Sequence, residues 1–272
     1  MKLSQTLDQI RARGEKSFIA YLTAGDPTIK ATQRFVQTLS RAGVSVIELG
    51  VPHSDPVADG PTNARAAERA LKNHTSLSDV LDLVATLRQA GELIPLVLFT
   101  YLNPILRMGV PAFAKRAKAS GVSAVLVVDL PPEEAKGYLS ELETSGIETV
   151  FLASPTTRPD RLATIGSVSS GFVYYVSRTG VTGVQKSVAS TLREKVAMLR
   201  QWIKKPICVG FGVSSADQVR EVLQVADGVV VGSCFVDLIE KSISEDEAAE
   251  LLEKKARELL QPLSEMKKES QC

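Results

Sequence analysis

Three carboxylates lie close together along one segment of the chain, at Glu48, Asp55 and Asp59. Glu48 stands inside an apolar run, where a carboxylate is costly unless it has a partner or a use. Asp55 and Asp59 follow in a loop rich in Pro and Gly. If this loop folds Asp59 over Glu48, the pair has the arrangement for general acid/base catalysis, in which two carboxylates in a partly dry site have separated pKa values.

These carboxylates also have a structural interpretation. Asp-Pro and Asp-Gly-Pro are ordinary turn sequences, so Asp55 and Asp59 taken alone are more often structural than catalytic. Glu48 could simply pair with an internal Lys or Arg. The residues alone leave both interpretations open.

The elements that would position these residues are eight short apolar runs, separated by longer amphipathic stretches. Several runs are nearly continuous in Val, Ile, Leu and Phe, which is typical of parallel strands buried on both faces. Their spacing of about 30 residues suits a strand followed by a returning helix. The pattern predicts an α/β fold, a single (β/α)8 TIM barrel, with chemistry at the carboxyl ends of its strands. The runs begin at Phe18, Ser45, Pro95, Ser123, Glu148, Gly171, Pro206 and Gly228.

A doubly wound open sheet is the alternative, but eight near-equal units without GxGxxG after the first strand favour a closed barrel. We expect one domain over residues 1–272. Residues 1–14 predict an extra helix that caps the bottom of the barrel. A charged helix begins at Glu245, and Pro262 is expected to end or kink it before a loose tail from about residue 263. Ser76 to Asp79 and Ser214 to Asp217 resemble helix-capping boxes, and Pro131 and Pro132 predict a helix start.

Composition excludes several function classes. The chain has 272 residues with Lys+Arg 32 and Asp+Glu 31, a formal charge of +1, whereas proteins that track phosphate backbones need a basic excess. No apolar run of about 18 residues predicts a membrane span, and the N-terminus lacks the apolar core of a secretion signal. Three widely spaced cysteines and two histidines predict no disulfide framework and no metal site. We therefore expect a reducing compartment, the cytoplasm, or a plastid stroma if a transit peptide has been removed.

Glycines cluster after the last three predicted strands. Gly180 and Gly183 follow the sixth, Gly210 and Gly212 the seventh, and Gly232 with Ser233 the eighth. Barrels commonly bind phosphate with these loops and a helix N-terminus, where backbone N–H groups can approach the anion. Any one of these glycines could merely form a turn, but their recurrence at consecutive strand ends favours a phosphate site.

Aromatic residues at strand ends predict flat apolar walls that suit a bicyclic ring. Each taken alone is more often plain core. Arg178 and Thr182 lie in a glycine-flanked loop that could close over the site. The candidate wall residues are Tyr21, Phe99, Tyr101, Tyr174 and Phe211.

The stretch IELGVPHSDPVADGPT over residues 47–62 resembles the signature of the tryptophan synthase alpha subunit family. YLTAGDP, SRTGVTG, GFGVSS and VVGS after the first, sixth, seventh and eighth strands extend the resemblance from about Phe18 to Ile239. It implies a TIM barrel that cleaves indole-3-glycerol phosphate to indole and glyceraldehyde 3-phosphate without metal or organic cofactor. Glu48 then corresponds to the acid that protonates the indole carbon, and Asp59 to the carboxylate that accepts the indole N–H.

The resemblance also implies a set of binding residues. Tyr21, Tyr174 and Phe211 would line the site, and Thr182 would reach from the lid loop, with Arg178 and Gly183, to the catalytic aspartate. The implied phosphate contacts are Gly183, Gly212, Val213, Gly232 and Ser233. The implied partner is a pyridoxal-phosphate beta subunit in an α2β2 complex, contacted through Pro52, Asp55, Asn103 and Pro131.

This chain departs from the family pattern at two places. His53 stands where the family more often has an aromatic such as Phe, and we expect it to pack. After Thr62 the chain continues Asn63-Ala64-Arg65, where many relatives have an apolar residue and Gln. Three alternatives follow: a degenerate subunit that mainly activates a beta partner, a standalone lyase, and another phosphate-binding barrel such as an isomerase or decarboxylase. The last usually needs a strand-end Lys or a Cys/Asp pair, and no Lys lies in the predicted strands.

Overall fold

The computed structural model describes residues 2–177, 185–210 and 212–269. Eight parallel strands form a closed barrel in which each strand pairs with the next along the chain, and β8 pairs with β1. The predicted (β/α)8 fold is confirmed, whereas the single-domain organisation remains a prediction. The strands are β1 (Ser17–Thr23), β2 (Val46–Gly50), β3 (Leu96–Thr100), β4 (Ala124–Val127), β5 (Glu148–Ala153), β6 (Val173–Val176), β7 (Ile207–Gly210) and β8 (Gly228–Val231).

Helices follow the strands and cover the outside of the barrel. Several end at a glycine in the left-handed conformation, as at Gly43 and Gly121, which carry φ of 103° and 87°. The helices are α1 (Leu3–Ala12), α2 (Ile29–Ala42), α3 (Pro61–Lys72), α4 (Leu77–Gln89), α5 (Leu102–Met108), α6 (Val110–Ser120), α7 (Lys136–Ser145), α8 (Pro159–Val168), α9 (Gln185–Trp202), α10 (Ala216–Leu223), α11 (Ser233–Lys241) and α12 (Glu245–Glu269).

Alternation along the strands divides the buried side chains into an inner and an outer layer. In β2, Ile47 and Leu49 pack outward with the helices, whereas Val46 belongs to the cluster inside the barrel. Glu48 has the inward parity of Val46, and its direct neighbours in register are Tyr21 on β1 and Val97 on β3. The strand geometry therefore sends Glu48 toward the barrel axis, as the sequence predicted.

Helix α1 closes the amino-terminal end of the barrel, as expected for residues 1–14. Leu3 and Leu7 pack into the cluster inside the barrel. Glu148, the first residue of β5, accepts hydrogen bonds from the backbone N–H (2.9 Å) and the hydroxyl of Ser4. The carboxylate thus caps the first turn of the helix that covers this end.

The predicted loose tail is wrong for residues 263–269, because α12 continues through Pro262 to Glu269. Leu260, Leu263 and Met266 pack against the main core, and Glu265 pairs with Arg220 of α10 at 2.7 Å. This packing holds the last turns in place despite the proline.

Two other helix starts differ from their predictions. The N-cap of α10 is Ser215 and its box partner is Gln218, one residue later than expected. Pro132 opens a short 3-10 turn ending at Glu134, and α7 begins only at Lys136. The box at Ser76 and Asp79 is confirmed.

Candidate active site

A cavity of about 340 Å³ opens at the carboxyl ends of the strands. Its walls come from β1, β2, β3, β5, β6 and β8 and from residues just after β4 and β7. Its rim comes from the loop before α3 and from the first residues of α3 and α11. The lining residues are Tyr21, Glu48, Ala58, Asp59, Gly60, Pro61, Thr62, Asn63, Phe99, Val128, Leu152, Tyr174, Val176, Gly212, Val230, Gly232 and Ser233.

Glu48 is buried at the base of this cavity, with 1% of its surface exposed. Its Oε1 atom has no hydrogen-bond partner among the described residues, and no cation pairs with it there. Burial alone raises the pKa of the Glu48 carboxyl to about 8. No internal Lys or Arg in the described part of the chain pairs with Glu48, so the ion-pair alternative finds no support there. With a pKa of about 8, the Glu48 carboxyl is mainly protonated at neutral pH.

Asp59 lies at the rim of the same cavity, on the loop that leads into α3. Its Oδ2 accepts a hydrogen bond of 2.9 Å from the hydroxyl of Tyr101. Partial burial raises the pKa of the Asp59 carboxyl, whereas the Tyr101 hydroxyl and nearby His53 lower it. The loop therefore brings Glu48 and Asp59 to one cavity and gives them different surroundings.

Tyr101 does not line the cavity, although its position suggested a wall residue. It stands behind Asp59, and its hydroxyl also accepts the backbone N–H of Ala58 at 3.0 Å. The ring of His53 meets the ring of Tyr101 edge to face, with centroids 4.6 Å apart. His53 thus packs on an aromatic ring, as expected.

The walls of the cavity are largely apolar. Tyr21, Phe99 and Tyr174 line it as predicted, and the rings of Tyr21 and Phe99 meet edge to face at 5.3 Å. Val128, Leu152, Val176 and Val230 complete the walls, and the sequence interpretation did not single them out. Their places at or just after strand ends were the available signal. A flat apolar ring fits between such walls.

Another part of the cavity wall is formed by backbone and a hydroxyl, at Gly212, Gly232 and Ser233. Gly212 carries φ of 65°, a conformation that side chains disfavour. Gly232 and Ser233 lie at the start of α11, whose free N–H groups favour an anion. Val213, by contrast, buries its side chain in the main core, so only its backbone could meet a ligand. Of the remaining predicted site residues, Arg178, Thr182, Gly183 and Phe211 lie outside the described residues.

A second cavity, of about 500 Å³, lies beside the first on the same end of the barrel. Pro52, His53 and Asn103 line it, together with the first turn of α4 and the end of α5. Asp55 is exposed nearby, while Pro131 is not among the residues that line it. Two of the predicted partner contacts therefore share one depression.

Two kinds of feature are absent from the residues that the structure describes. No group of three or more His, Cys, Asp or Glu side chains there could hold a metal ion. Within the same ranges, no helix is long and apolar enough to cross a membrane.

A closed parallel barrel with two carboxylates in the cavity at its carboxyl end defines the class, a (β/α)8-barrel protein built for general acid/base chemistry. The family model described as "Tryptophan synthase alpha chain" matches residues 7–270. The chain is 44% identical over 252 residues to the tryptophan synthase alpha chain of Burkholderia thailandensis, covering 93% of each protein. The corresponding protein of Geobacter sp. strain M21 is 45% identical over 252 residues, covering 93% of this chain and 92% of that protein.

Solved structures agree with these sequence relatives. The crystal structure of tryptophan synthase subunit alpha from Legionella pneumophila superposes with a TM-score of 0.91 at 32% identity, covering 97% of this chain and 99% of that one. The chain belongs to the tryptophan synthase alpha chain family.

Proposed function

We propose that this chain is the alpha subunit of a tryptophan synthase, a carbon–carbon lyase that cleaves indole-3-glycerol phosphate to indole and glyceraldehyde 3-phosphate. The single observation that carries the mechanism is the burial of Glu48 in a cavity that also holds Asp59, with no hydrogen-bond partner for its Oε1 among the described residues. The reaction needs an acid at an aromatic carbon and an anion at the ring nitrogen, and these two groups supply them.

Glu48 is the general acid and then the general base. Because its pKa is about 8, it carries a proton at neutral pH and can donate it to the indole carbon that bears the side chain. The ionised Glu48 then removes the proton of the adjacent hydroxyl. The carbon–carbon bond breaks, its electrons restore the aromatic ring, and the hydroxyl carbon becomes the aldehyde, so the enzyme recovers its proton.

Asp59 stabilises the intermediate between these steps. Protonation of the ring carbon leaves positive charge on the ring nitrogen, whose N–H the Asp59 carboxylate accepts. Tyr101 fixes one carboxylate oxygen, so the anion stands in place before charge develops. Tyr21, Phe99 and Tyr174 hold the ring between apolar walls.

The phosphate belongs at the part of the cavity wall that Gly212, Gly232 and Ser233 form. There the backbone of Gly212 and Gly232, the hydroxyl of Ser233 and the N-terminus of α11 offer hydrogen-bond donors. Gly183 and the backbone of Val213 complete this set in our proposal, with Phe211 at the ring and the loop of Arg178 and Thr182 as a cover. A neutral composition thereby accommodates a dianionic substrate.

Family membership implies a beta subunit as partner, and we propose an α2β2 assembly with a pyridoxal-phosphate beta chain in the cytoplasm. Its docking surface is the end of the barrel around the second cavity, where Pro52 and Asn103 lie, with Asp55 and Pro131 as further contacts. Val57 and Leu106, 77% and 56% exposed, add apolar surface at the same end. Such surface suits a covered exit for a small apolar product.

Indole release from indole-3-glycerol phosphate tests the function, measured with the purified chain alone and with the beta subunit. Glu48→Gln and Asp59→Asn should each lower the rate by roughly 100- to 10,000-fold. Glu68→Gln, an exposed carboxylate on α3, is the matched control and should leave the rate unchanged. Normal release by Glu48→Gln would refute the mechanism. Full activity of a lone chain that binds no beta subunit would favour the standalone lyase. If no indole is released with or without the beta subunit, the result would favour the degenerate subunit.

A further inference from the structure

His53 and Asp59 lie on one loop, and both contact the same side chain, that of Tyr101. The ring of His53 meets the ring of Tyr101 edge to face, with centroids 4.6 Å apart. The hydroxyl of Tyr101 donates a hydrogen bond of 2.9 Å to Oδ2 of Asp59. Because both contacts are to one side chain, the imidazole and the carboxylate lie within the range over which charges interact, about 10 Å at 0.1 M salt.

Hydrogen bonds inside the loop support this arrangement. The backbone N–H of Asp55 donates to Nδ1 of His53 at 3.3 Å. The backbone N–H of Asp59 donates to the carbonyl of Pro56 at 2.9 Å. The relative positions of the imidazole and the Asp59 carboxylate are therefore set by the loop as well as by Tyr101.

An imidazole at this position brings more than a ring that packs. A phenyl ring could make the same edge-to-face contact, but an imidazole changes its charge between about pH 5 and 8. Burial raises the pKa of the Asp59 carboxyl, whereas the hydroxyl of Tyr101 and the charge of His53 lower it. A protonated imidazole therefore favours the ionised form of Asp59, which is the form that the proposed mechanism uses.

The charges around His53 come from its own loop and from the helices at its cavity. Arg116 is already paired with Asp82 at 2.9 Å, and Asp79 is bound to Ser76. Asp55 is exposed, whereas Asp59 is half-buried, and charges interact more strongly away from water. We therefore expect the imidazolium to act more on Asp59 than on Asp55. The groups concerned are Asp55 and Asp59 on the loop, Tyr101 at the ring, Asp79 on α4, Arg107 on α5 and Arg116 on α6.

We propose that His53 is a positioning residue that, in its protonated form, keeps Asp59 ionised and so extends the reaction to more acidic conditions. This role rests on the proposed function, in which the Asp59 carboxylate accepts the N–H of the indole ring. His53 lines the second cavity and not the one that holds Asp59, so it acts through its charge and through Tyr101 rather than on the substrate.

The test removes the charge of His53 and keeps the ring. With the beta subunit in excess, kcat/KM of His53→Phe should match wild type at neutral pH and fall roughly two- to fivefold below it on the acidic limb, the usual strength of a partly exposed ion pair. His53→Arg keeps a charge and a planar group that stacks on tyrosine, so it should keep the wild-type limb. His74→Asn, which removes the exposed second histidine from a left-handed position that Asn tolerates, is the control.

A second measurement needs neither substrate nor partner. The NMR resonance of the Asp59 carboxyl carbon, assigned by its loss in Asp59→Asn, reports the ionisation of this group directly. It should titrate at higher pH in His53→Phe than in wild type, His53→Arg or His74→Asn. If His53→Phe does not fold by circular dichroism, the uncharged His53→Gln provides the same comparison.

The role of His53 and the proposed function fail differently. If either the carboxyl titration or the acidic limb coincides in wild type and the uncharged variant, His53 does not have this role, although the lyase function stands. Equal shifts in His53→Phe and His53→Arg would also overturn it, because they would reflect lost packing rather than lost charge. If wild type with its beta subunit releases no indole at any pH, the proposed function is refuted, while the carboxyl titration still decides whether His53 acts on Asp59.

Discussion

The hydroxyl of Tyr101 donates a hydrogen bond of 2.9 Å to Asp59 and accepts one of 3.0 Å from the backbone of Ala58. Because Ala58 and Asp59 are neighbours, one hydroxyl fixes both the loop and the carboxylate that it carries. The Tyr101 ring also contacts His53, which lines the second cavity. Tyr101 therefore connects the proposed partner surface to the proposed catalytic aspartate.

Tyr101→Phe should raise the pKa of Asp59, since the hydroxyl stabilises the ionised carboxylate. Asp59 must be ionised to act, so the acidic limb of the kcat/KM profile should move to higher pH by roughly one unit. Tyr138→Phe is the matched control, because it removes a buried hydroxyl of α7 that has no partner in the described residues. An unmoved acidic limb in Tyr101→Phe would show that Tyr101 does not set the charge of Asp59.

The basic limb of the same profile should belong to Glu48. Its pKa is about 8 because the carboxyl is buried, so the acid form is lost above that pH. We expect kcat/KM to fall about tenfold for each pH unit above roughly 8. Indole release between pH 6 and 10, with substrate well below KM, measures the limb. A rate that stays level to pH 10 would mean that Glu48 does not act as the acid.

Much of this arrangement follows from the pattern of the chain. Eight near-continuous apolar runs separated by amphipathic stretches favour a barrel over an open sheet, and alternation within β2 suffices to turn Glu48 inward with Val46. The proline- and glycine-rich loop brings Asp59 to the same cavity. These outcomes depend on local periodicity and turn chemistry, which a sequence displays directly.

Other features depend on contacts between distant segments, which a sequence does not display. Tyr101 lies outside the cavity wall, where its hydroxyl makes hydrogen bonds with Asp59 and Ala58. Asn63 enters the wall because α3 packs on α11. Helix α12 continues through Pro262 because Leu263 and Met266 pack against the hydrophobic core. At Pro262 tertiary packing thus outweighs the local tendency of proline to end a helix.

Glu48→Gln should stabilise the fold increasingly as pH rises. The unfolded chain releases the Glu48 proton near pH 4.5, whereas the folded chain holds it until about 8, so the folded state binds more protons between these values. Wild-type stability from this group is therefore lost with rising pH across that window. We expect the advantage of Glu48→Gln to grow by about 3 kcal/mol from pH 5.5 to 8.5.

Urea unfolding at the two pH values measures this difference, and Glu68→Gln, an exposed carboxylate, should show no comparable change. A constant difference between wild type and Glu48→Gln across the window would contradict a buried, protonated Glu48.

The bond between Glu148 and Ser4 should govern how firmly α1 closes the barrel. Lys2, the N-cap of α1, offers no side-chain cap, so Glu148 is the group that satisfies the first turn from outside the helix. Glu148→Ala should lower the free energy of unfolding by about 1–2 kcal/mol, the usual cost of a lost cap, because Leu3 and Leu7 are then less firmly seated.

A double-mutant cycle with Ser4→Ala separates this cap from a general effect of the mutation. Since the Ser4 hydroxyl also donates to Glu148, the two substitutions together should cost less than their sum. Glu143→Ala, an exposed carboxylate on α7, should be nearly neutral in the same urea titration. Strict additivity of Glu148→Ala and Ser4→Ala would show that the hydroxyl bond contributes nothing to the cap, because the costs of two substitutions add when the two groups do not interact.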